Sequence, residues 1–387
     1  MSTNSSPPVP TAVSSALGHQ GRPEGPPGSI QLAPLYRFST PHRVFPGAQR
    51  LMDEARDWMR GYTDRFGGGP RLERTIEETL SMCSYLFPDA DPEGNFLATL
   101  FTTLEFVNDD VFDGIDTYDA MLASPQGQRM AEEMRHLRLN PRLLAQGMMA
   151  GVRILRDPTA PEPDLGPEVS GALFLYDALR DFSTRLHAYG RRSGAPHFDF
   201  WLETFCQSLI PFSDSHADIY RDIATISVEA YAEHKLINSG MAHALHLLEL
   251  AMNCFLGEEH HQIPLIQELK RHCCHVGSLL NEICSYEKEV FQEQTGNLLL
   301  VLMLKEQVDL AEATRRVAAM AQRHGDDVIR LRDRALAEFS ESDEEGRLLR
   351  RYVSGLEMMA AACWDWQLVG TTRYLSSTSP FAELLIK

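Results

Sequence analysis

The amino-acid sequence predicts an all-α protein with a single large domain. Apolar residues recur with a 3.6-residue period in long stretches from about residue 33 onward. Strand-like alternation is sparse, and no Asn-Gly or Asp-Gly hairpin turn is flanked by β-rich segments. The 43% hydrophobic and 23% charged residues are ordinary values for a globular protein with a large core. We therefore expect one helical domain over residues 33–387.

The first 32 residues differ in composition from the rest of the chain. Residues 1–32 are rich in Pro, Ser and Gly, and such a segment buries too little apolar surface to offset its ordering entropy. We predict a flexible leader there. The periodic segments that predict the main helices are, in chain order, Leu51–Phe66, Leu72–Leu86, Phe96–Phe112, Met241–Leu256, Ile263–Glu293, Asn297–Lys305, Leu310–Phe339 and Glu345–Val369. Gly- and Pro-containing sequences such as Gly67–Pro70 separate them, as expected of helix ends.

Composition disfavours several classes of protein. The net charge of −18 would repel nucleic acid, although divalent cations could still bridge the chain to a phosphorylated small molecule. The longest apolar run, Leu298–Leu304, is far shorter than the roughly 20 residues that cross a bilayer. The first ten residues show no signal-peptide pattern, and the seven Cys lack CxxC spacing. These features predict a cytoplasmic protein with reduced thiols and no membrane span.

A first cluster of acidic residues lies near the end of a predicted helix. Asp109 and Asp113 are one turn apart on one face, with Asp110 beside them, and Phe106 and Val111 are apolar neighbours. Three close carboxylates repel one another, and a hard divalent cation such as Mg²⁺ relieves that repulsion. The alternative is a solvated acidic helix end, which needs no metal.

A second polar motif follows in another predicted helix. Asn281, Ser285 and Glu289 are spaced four residues apart and so share a narrow stripe, with Lys288 at its edge. An amide, a hydroxyl and a carboxylate supply three oxygen ligands for one hard cation, and Lys288 could meet an anion held by it. The alternative is an ordinary polar outer face, but Asn and Ser are poor interior helix formers.

Together these motifs resemble the DDxxD and NSE metal-binding motifs of microbial class I terpene synthases. The C-terminal region is similar to that family's Arg-Tyr pair preceded by a tryptophan, and residues 295–301 resemble its sequence after the second motif. The residues that carry the resemblance are Asp109, Asp110, Asp113, Asn281, Ser285, Lys288, Glu289, Asn297, Trp364, Trp366, Arg373 and Tyr374. It covers roughly residues 33–380, and four motifs occur in the family's order.

The resemblance implies a class I terpenoid synthase helical bundle around a central cavity, a lyase that ionises and cyclises a prenyl diphosphate. It implies three Mg²⁺ ions per site, with Mn²⁺ as an alternative ion, and allows a homodimer. Farnesyl diphosphate is the expected substrate because it is the commonest in the family, with geranylgeranyl diphosphate next. The implied metal ligands are Asp109, Asp110, Asp113, Asn281, Ser285 and Glu289, the implied diphosphate contacts are Lys235, Lys288, Arg373 and Tyr374, and the implied aromatic wall is Phe106, Trp364 and Trp366.

The chain departs from the family pattern at two positions. Lys235 stands where the family has an Arg that contacts diphosphate, and an ammonium group lacks the bidentate fork of a guanidinium. Glu105 stands where the family usually has an aromatic residue, and it either points away from the cavity or narrows or polarises its rim. We expect His243, in an apolar segment, to be a core or helix-face residue.

Two alternatives to a terpene synthase come from different classes. A prenyl chain-elongating synthase has the same all-α architecture, but it carries two Asp-rich motifs where this chain has one. A non-catalytic helical protein could bind cations at acidic patches, but it would have no use for Arg373, Tyr374 and Lys235 at these places. A protonation-initiated cyclase would need a DxDD motif, which the sequence lacks.

Overall fold

The computed structural model describes residues 30–66, 69–114, 122–172, 174–215, 226–291 and 296–386. The predicted leader therefore lies almost entirely outside the described residues. Within those ranges the chain forms sixteen α-helices and no β-sheet, which confirms the predicted all-α class. The helices are α1 (Ala48–Thr63), α2 (Pro70–Leu80), α3 (Met82–Leu86), α4 (Pro92–Gly114), α5 (Pro125–Leu139), α6 (Pro141–Arg156), α7 (Tyr176–Ser193), α8 (Phe198–Ser215), α9 (Val228–Asn238), α10 (Met241–Ala251), α11 (Glu258–His261), α12 (Pro264–Cys284), α13 (Tyr286–Phe291), α14 (Leu298–Glu306), α15 (Leu310–Glu338) and α16 (Glu344–Asp365).

Helices α4, α10 and α12 form the centre of the bundle. Helix α4 packs against α1, α2, α7 and α10, and α12 packs against α9, α15 and α16. Almost every side chain of α10 is buried, including those of His243, His246 and Glu249, because other helices enclose it. None of the described helices combines the length and the apolarity needed to cross a bilayer.

Local sequence signals account for the ends of several helices. The Asp309 side chain accepts a hydrogen bond from the Glu312 amide (2.8 Å) where α15 begins, and Asp343 does the same for Gly346 (2.7 Å) where α16 begins. Gly194, with φ of 60°, ends α7 in the left-handed conformation that a residue with a Cβ rarely adopts. These caps satisfy backbone groups that have no partner within the helix.

Two predicted helices are interrupted where a serine side chain bonds to the backbone, and a third ends in a different kind of helical turn. Ser81 separates α2 from α3, and its hydroxyl donates to the Gly370 carbonyl (2.6 Å). Ser285 separates α12 from α13 and donates to the Asn281 carbonyl one turn earlier (2.8 Å). After α16 the chain continues as a π-helical turn over Trp366–Gly370. Such turns often occur at functional sites, and this one directs the chain toward Arg373.

A close approach of two helices fixes the start of α4 against the end of α10. The Asp91 amide donates to the Ala251 carbonyl (2.8 Å), and the Asp91 carboxylate caps the Gly94 amide (2.9 Å). A Cβ at Gly94 would lie well inside van der Waals contact of the Leu250 carbonyl oxygen. Glycine is therefore required at position 94 for helix packing.

We expect Gly94→Ala to lower the free energy of unfolding by about 1–3 kcal/mol, because the added methyl group overpacks the contact with α10. Gly61→Ala is the matched control, since nothing lies within 4 Å of a Cβ at this helical position. That variant should gain about 0.5–1 kcal/mol from helix propensity. Urea unfolding followed by circular dichroism measures both. Equal effects at the two positions would contradict the packing argument.

Candidate active site

A cavity of about 230 Å³ lies between helices α4, α9, α10 and α12 and the C-terminal segment after α16. One wall is polar and charged, and the remaining walls are largely apolar. The polar wall comprises Asp109, Lys235, Asn281, Ser285, Lys288, Glu289, Arg373 and Tyr374. The apolar walls include Met82, Leu86, Phe106, Phe212, Leu247 and Trp366. Most of the residues that the sequence singled out therefore surround one space.

Asp110, from the Asp-rich motif, is buried, and its carboxylate accepts hydrogen bonds from two cationic side chains. The Lys288 ammonium donates to one carboxylate oxygen (2.7 Å), and the Arg373 guanidinium donates to both oxygens, one at 2.6 Å. Burial opposes ionisation of this carboxyl, but Arg373 and Lys288 outweigh it and hold the pKa of Asp110 well below its usual range. In the structure Asp110 therefore holds the two basic residues in position, and its role as a metal ligand stays a prediction.

Asp109 differs from its neighbour in both exposure and contacts. Its side chain is 43% exposed, lines the cavity, and has only a long contact of 3.9 Å to Arg373. Its oxygens therefore remain available for a ligand. The side chain of Asp113 lies outside the described residues, so its predicted role stays a prediction.

The second motif presents oxygen atoms to the same cavity. The Asn281 amide nitrogen donates to the Tyr374 hydroxyl (3.0 Å) and to Gln367 (3.3 Å), so the amide oxygen remains as an acceptor. One Glu289 oxygen accepts from the Asn297 amide (2.8 Å), which leaves the other for a ligand. Together with the hydroxyl of Ser285, these atoms form an amide, hydroxyl and carboxylate set in the cavity that Asp109 also lines. This set fits a hard divalent cation.

Lys235 lines the cavity but already has a partner. Its ammonium contacts a carboxylate oxygen of Glu282 at 2.6 Å, and both side chains are buried. The other Glu282 oxygen accepts from the backbone amide of Leu298, at the start of α14. Burial raises the pKa of Glu282 to about 7, with Lys235 acting in the opposite direction. For Lys235 burial lowers the pKa, but the attraction of Glu282 and Glu289 outweighs it and raises the pKa.

Of the three predicted aromatic residues, two line the cavity and one packs in the core. Phe106 lies under the Arg373 guanidinium, with 4.9 Å between the guanidinium carbon and the ring centroid, a cation–π contact. Trp366 lines the cavity and meets Tyr374 edge to face, with ring centroids 6.3 Å apart. Trp364 is not among the lining residues and packs instead against Tyr36, with centroids 5.8 Å apart. Phe106 and Trp366 therefore face the cavity, and Trp364 belongs to the core.

Sequence reasoning missed two residues that hold the site together. Glu282 pairs with Lys235, and Gln367 positions the Asn281 amide. A signal for Glu282 was present, because it is an acidic residue among the buried apolar side chains of α12. Gln367 carried no comparable signal, since its role depends on the π-helical turn after α16.

A second cavity of about 170 Å³ adjoins the first and is mainly apolar. Residues that line both cavities are Glu105, Asp109 and Phe212. The rest of its lining comes mostly from α4, α6 and α7, including Phe101, Phe112, Met148 and Leu179. The boundary between the two spaces therefore lies at Glu105, Asp109 and Phe212.

Comparison with known proteins gives a family match and relatives of similar length. Residues 100–327 match the family model described as terpene synthase family 2, C-terminal metal binding. The chain is 25% identical over 341 residues to the 10-epi-cubebol synthase of Sorangium cellulosum (strain So ce56), covering 87% of this chain and 95% of that protein. It is 29% identical over 150 residues to a Roseiflexus castenholzii protein named (+)-T-muurolol synthase ((2E,6E)-farnesyl diphosphate cyclizing), covering 38% and 44%.

Solved structures show the same fold. A wild-type cucumene synthase superposes with a TM-score of 0.62 at 21% identity, covering 86% of this chain and 99% of that chain. Germacradien-4-ol synthase from Streptomyces citricolor gives a TM-score of 0.64 at 18% identity, covering 88% and 99%. These likenesses confirm the predicted helical bundle around a central cavity.

We expect Asp110→Asn to lower the free energy of unfolding by about 3–5 kcal/mol, because the amide leaves buried Arg373 without its counter-charge. Since the folded pKa of Asp110 lies below its unfolded value of 3.8, the carboxylate's contribution is complete above pH 3.8 and is lost as the pH falls through the folded pKa. Urea unfolding at pH 7 measures the loss.

Asp109→Asn is the matched control for this prediction, since its more exposed side chain has no close ion pair. Its effect on unfolding should stay within about 0.5 kcal/mol. A stable Asp110→Asn protein, or equal losses in both variants, would contradict the ion-pair argument.

Proposed function

The chain belongs to the terpene synthase family and is a microbial class I terpene synthase, a lyase that acts on a diphosphate; from this we propose that it ionises farnesyl diphosphate with Mg²⁺ and cyclises the resulting carbocation. The observation that carries the proposal is the joint lining of one cavity by Asp109, the second motif and the basic residues. A diphosphate bound at this polar wall would place its hydrocarbon chain against the apolar walls. We assign this catalysis to residues 33–387.

Oxygen atoms from two helical motifs would hold the metal ions. Asp109 comes from the first motif, Asn281, Ser285 and Glu289 come from the second, and all four line the cavity. Bound divalent cations would supply positive charge that stabilises the departing diphosphate. Of the two adjacent aspartates we propose Asp109, and not Asp110, as the metal ligand. Both oxygens of Asp110 already accept hydrogen bonds from Lys288 or Arg373.

The basic residues would hold the leaving group. Asp110 uses one of the three ammonium protons of Lys288 and only part of the donor set of Arg373, so both residues retain donors for phosphate oxygens. The Tyr374 hydroxyl accepts from Asn281 and so keeps its own proton for donation. Because negative charge grows on the diphosphate during ionisation, these donors stabilise the transition state more than the ground state.

Lys235 differs from the other basic residues because Glu282 neutralises much of its charge. We propose that Lys235 contacts the diphosphate through its remaining ammonium donors while Glu282 keeps it oriented. The pair is anchored at the start of α14 by the Leu298 amide. Binding or release of the diphosphate could therefore shift α9 and α14 through the ion pair between Lys235 and Glu282.

The apolar walls suit a carbocation that must not meet water. Phe106 and Trp366 offer aromatic faces whose quadrupoles stabilise a desolvated cation by about 2 kcal/mol each. Tight apolar walls exclude water, which would otherwise quench the cation. Trp364 has no part in this wall because it packs in the core.

Two observations support the C15 substrate over the C20 homologue. The relative from Roseiflexus castenholzii is named for cyclising farnesyl diphosphate. The main cavity of about 230 Å³ lies below the range of about 300–1,000 Å³ found for many ligand pockets, which favours the shorter chain. Geranylgeranyl diphosphate would need the adjoining space beyond Glu105 and Phe212 as well. The cytoplasmic location, the homodimer and the lack of a nucleic-acid partner stay predictions.

The experiment that tests the proposal is incubation of the purified protein with MgCl₂ and, separately, the C10, C15 and C20 prenyl diphosphates. A hexane extract is analysed by gas chromatography–mass spectrometry, and released diphosphate is measured in parallel. A magnesium-dependent cyclic product from the C15 substrate is the expected result. A longer prenyl diphosphate formed only with added isopentenyl diphosphate would instead indicate the chain-elongating alternative.

We expect Asp109→Ala and Asn281→Ala each to lower kcat by about 100-fold or more, because each removes an oxygen that holds the metal ions. Lys235→Arg should retain activity, since a guanidinium keeps both the ion pair with Glu282 and donors for phosphate. Initial rates of diphosphate release at saturating MgCl₂ measure all three variants.

Asp199→Ala is the control, because this exposed side chain on α8 lies outside both cavities. Its rate should equal that of the unchanged protein, and far-UV circular dichroism should show the same helical signal for every variant. Full activity in Asp109→Ala or Asn281→Ala would refute the metal assignment.

A further inference from the structure

A partly buried acidic side chain, Glu105, lies at the boundary between the two cavities. Glu105 precedes Asp109 by one helical turn on α4, a rise of about 6 Å along the helix axis. Its side chain is 18% exposed and lines both cavities. Neither the metal ligands nor the diphosphate contacts proposed above involve it. A carboxylate in this position requires an explanation, because burial of a charge in apolar surroundings is costly.

His243, on α10, holds this carboxylate. Its Nε2 atom lies 2.7 Å from a Glu105 carboxylate oxygen, and its side chain is only 3% exposed. The other ring nitrogen, Nδ1, is buried and has no hydrogen-bond partner among the described residues. A proton on Nδ1 would leave a buried N–H unsatisfied, so the geometry favours a neutral ring with its proton on Nε2. The pair then keeps the negative charge of the carboxylate.

The surroundings of the pair favour the same charge state. His243 is in the first turn of α10, where the helix dipole disfavours a positive charge and favours a nearby anion. Gly240, with φ of 75°, caps that helix, and a Cβ there would lie 3.3 Å from the His243 ring. The rings of Phe212 and Phe101 meet the imidazole edge to face, with centroids 4.9 and 6.4 Å away. The imidazole is therefore fixed in place on several sides.

We propose that Glu105, positioned by His243, accepts the proton whose loss ends the carbocation sequence. This inference rests on the proposed function. The C–H bond next to the cationic carbon breaks, its electron pair forms the C=C bond of the product, and the proton passes to a Glu105 carboxylate oxygen. After the product leaves, that proton passes to water. His243 keeps donating through Nε2–H and determines which oxygen of the carboxylate faces the substrate.

Position supports this role for Glu105 over a role for the departing diphosphate. The diphosphate would lie at the polar wall, whereas Glu105 lies one turn further along α4, where the hydrocarbon chain would reach. The carboxylate also attracts positive charge within a space of low polarity, where such attraction is stronger than in water. It therefore directs the cation and then removes its proton.

The test compares the product profile of Glu105→Gln with that of the unchanged protein. The readout is the amount of the major product per diphosphate released, in the C15 assay with MgCl₂. We expect this ratio to fall by about fivefold or more, because the amide cannot accept the proton. Products of proton loss at other carbons, or of capture by water, should replace the major product. An unchanged profile would overturn the proposal.

Glu249→Gln is the matched control. Glu249, on α10, is a fully buried acid near His246 (3.5 Å) and His261 (3.6 Å), so that like Glu105 it contacts imidazole, but it lines neither cavity. Its product profile should match that of the unchanged protein. If Glu105→Gln loses its far-UV helical signal, the product profile of Glu105→Asp tests the proposal instead. This variant keeps the charge but shortens the side chain. That variant should also change the product ratio, and an unchanged ratio would overturn the proposal.

Two variants of His243 test its positioning role. His243→Gln keeps an N–H donor and should retain most of the major product, whereas His243→Phe keeps a ring without a donor. The latter should alter the product ratio as Glu105→Gln does. Equal profiles in both variants, matching that of the unchanged protein, would contradict the positioning role.

A binding measurement tests the cation attraction without turnover. Benzyltriethylammonium chloride carries a permanent charge, and calorimetry gives its Kd for the unchanged protein, Glu105→Gln and Glu249→Gln. We expect Glu105→Gln alone to raise the Kd by about fivefold or more, from loss of the charge–charge attraction. Equal Kd values would overturn the proposed attraction. If the unchanged protein releases no diphosphate from any substrate, the proposed function fails and this inference falls with it. An active enzyme with unchanged products refutes the inference alone.

Discussion

The site depends on one buried group of charges that joins three distant parts of the chain. Asp110 on α4 binds Lys288 on α13 and Arg373 near the C-terminus, and Phe106 supports the guanidinium from below. Asp110 and Arg373 depend on each other most, because either side chain alone would be an uncompensated buried charge, whereas Lys288 is partly exposed. The polar wall of the cavity is therefore preorganised by the fold, before any metal or substrate binds.

Much of the fold could be predicted from local sequence, since helix periodicity and capping act over a few residues. Helix α15 occupies Leu310–Glu338, within one residue of its predicted range. The breaks at Ser81 and Ser285 could not be predicted in the same way. The Ser81 hydroxyl bonds to Gly370, a residue far away in the sequence, and only the packed structure brings the two together.

The candidate site was predictable in its residue types but not in the roles of neighbouring residues. Spacing on a helix shows which side chains share a face, but it does not show how deep each one lies or which partner arrives from elsewhere in the chain. Asp109 and Asp110 are adjacent, yet one is exposed to the cavity and the other is buried against two cations. Trp364 and Trp366 differ in the same way, because residues two apart on a helix point to nearly opposite faces, and only Trp366 lines the cavity.

The charged groups along α4 make the two ends of the cavity electrostatically different. At one end the basic residues and the metal ligands would receive the negative diphosphate, and at the other end Glu105 contributes a negative charge held by His243. A carbocation formed at the polar wall would thus lie between two anions, the released diphosphate and the carboxylate. Because the walls between them are apolar, little screening weakens either attraction. Cyclisation that moves the positive charge along the hydrocarbon chain, away from the diphosphate, would move it toward Glu105. The departure from an aromatic residue at this one position therefore gives the cavity a defined end point for the charge, which an aromatic face alone would not supply.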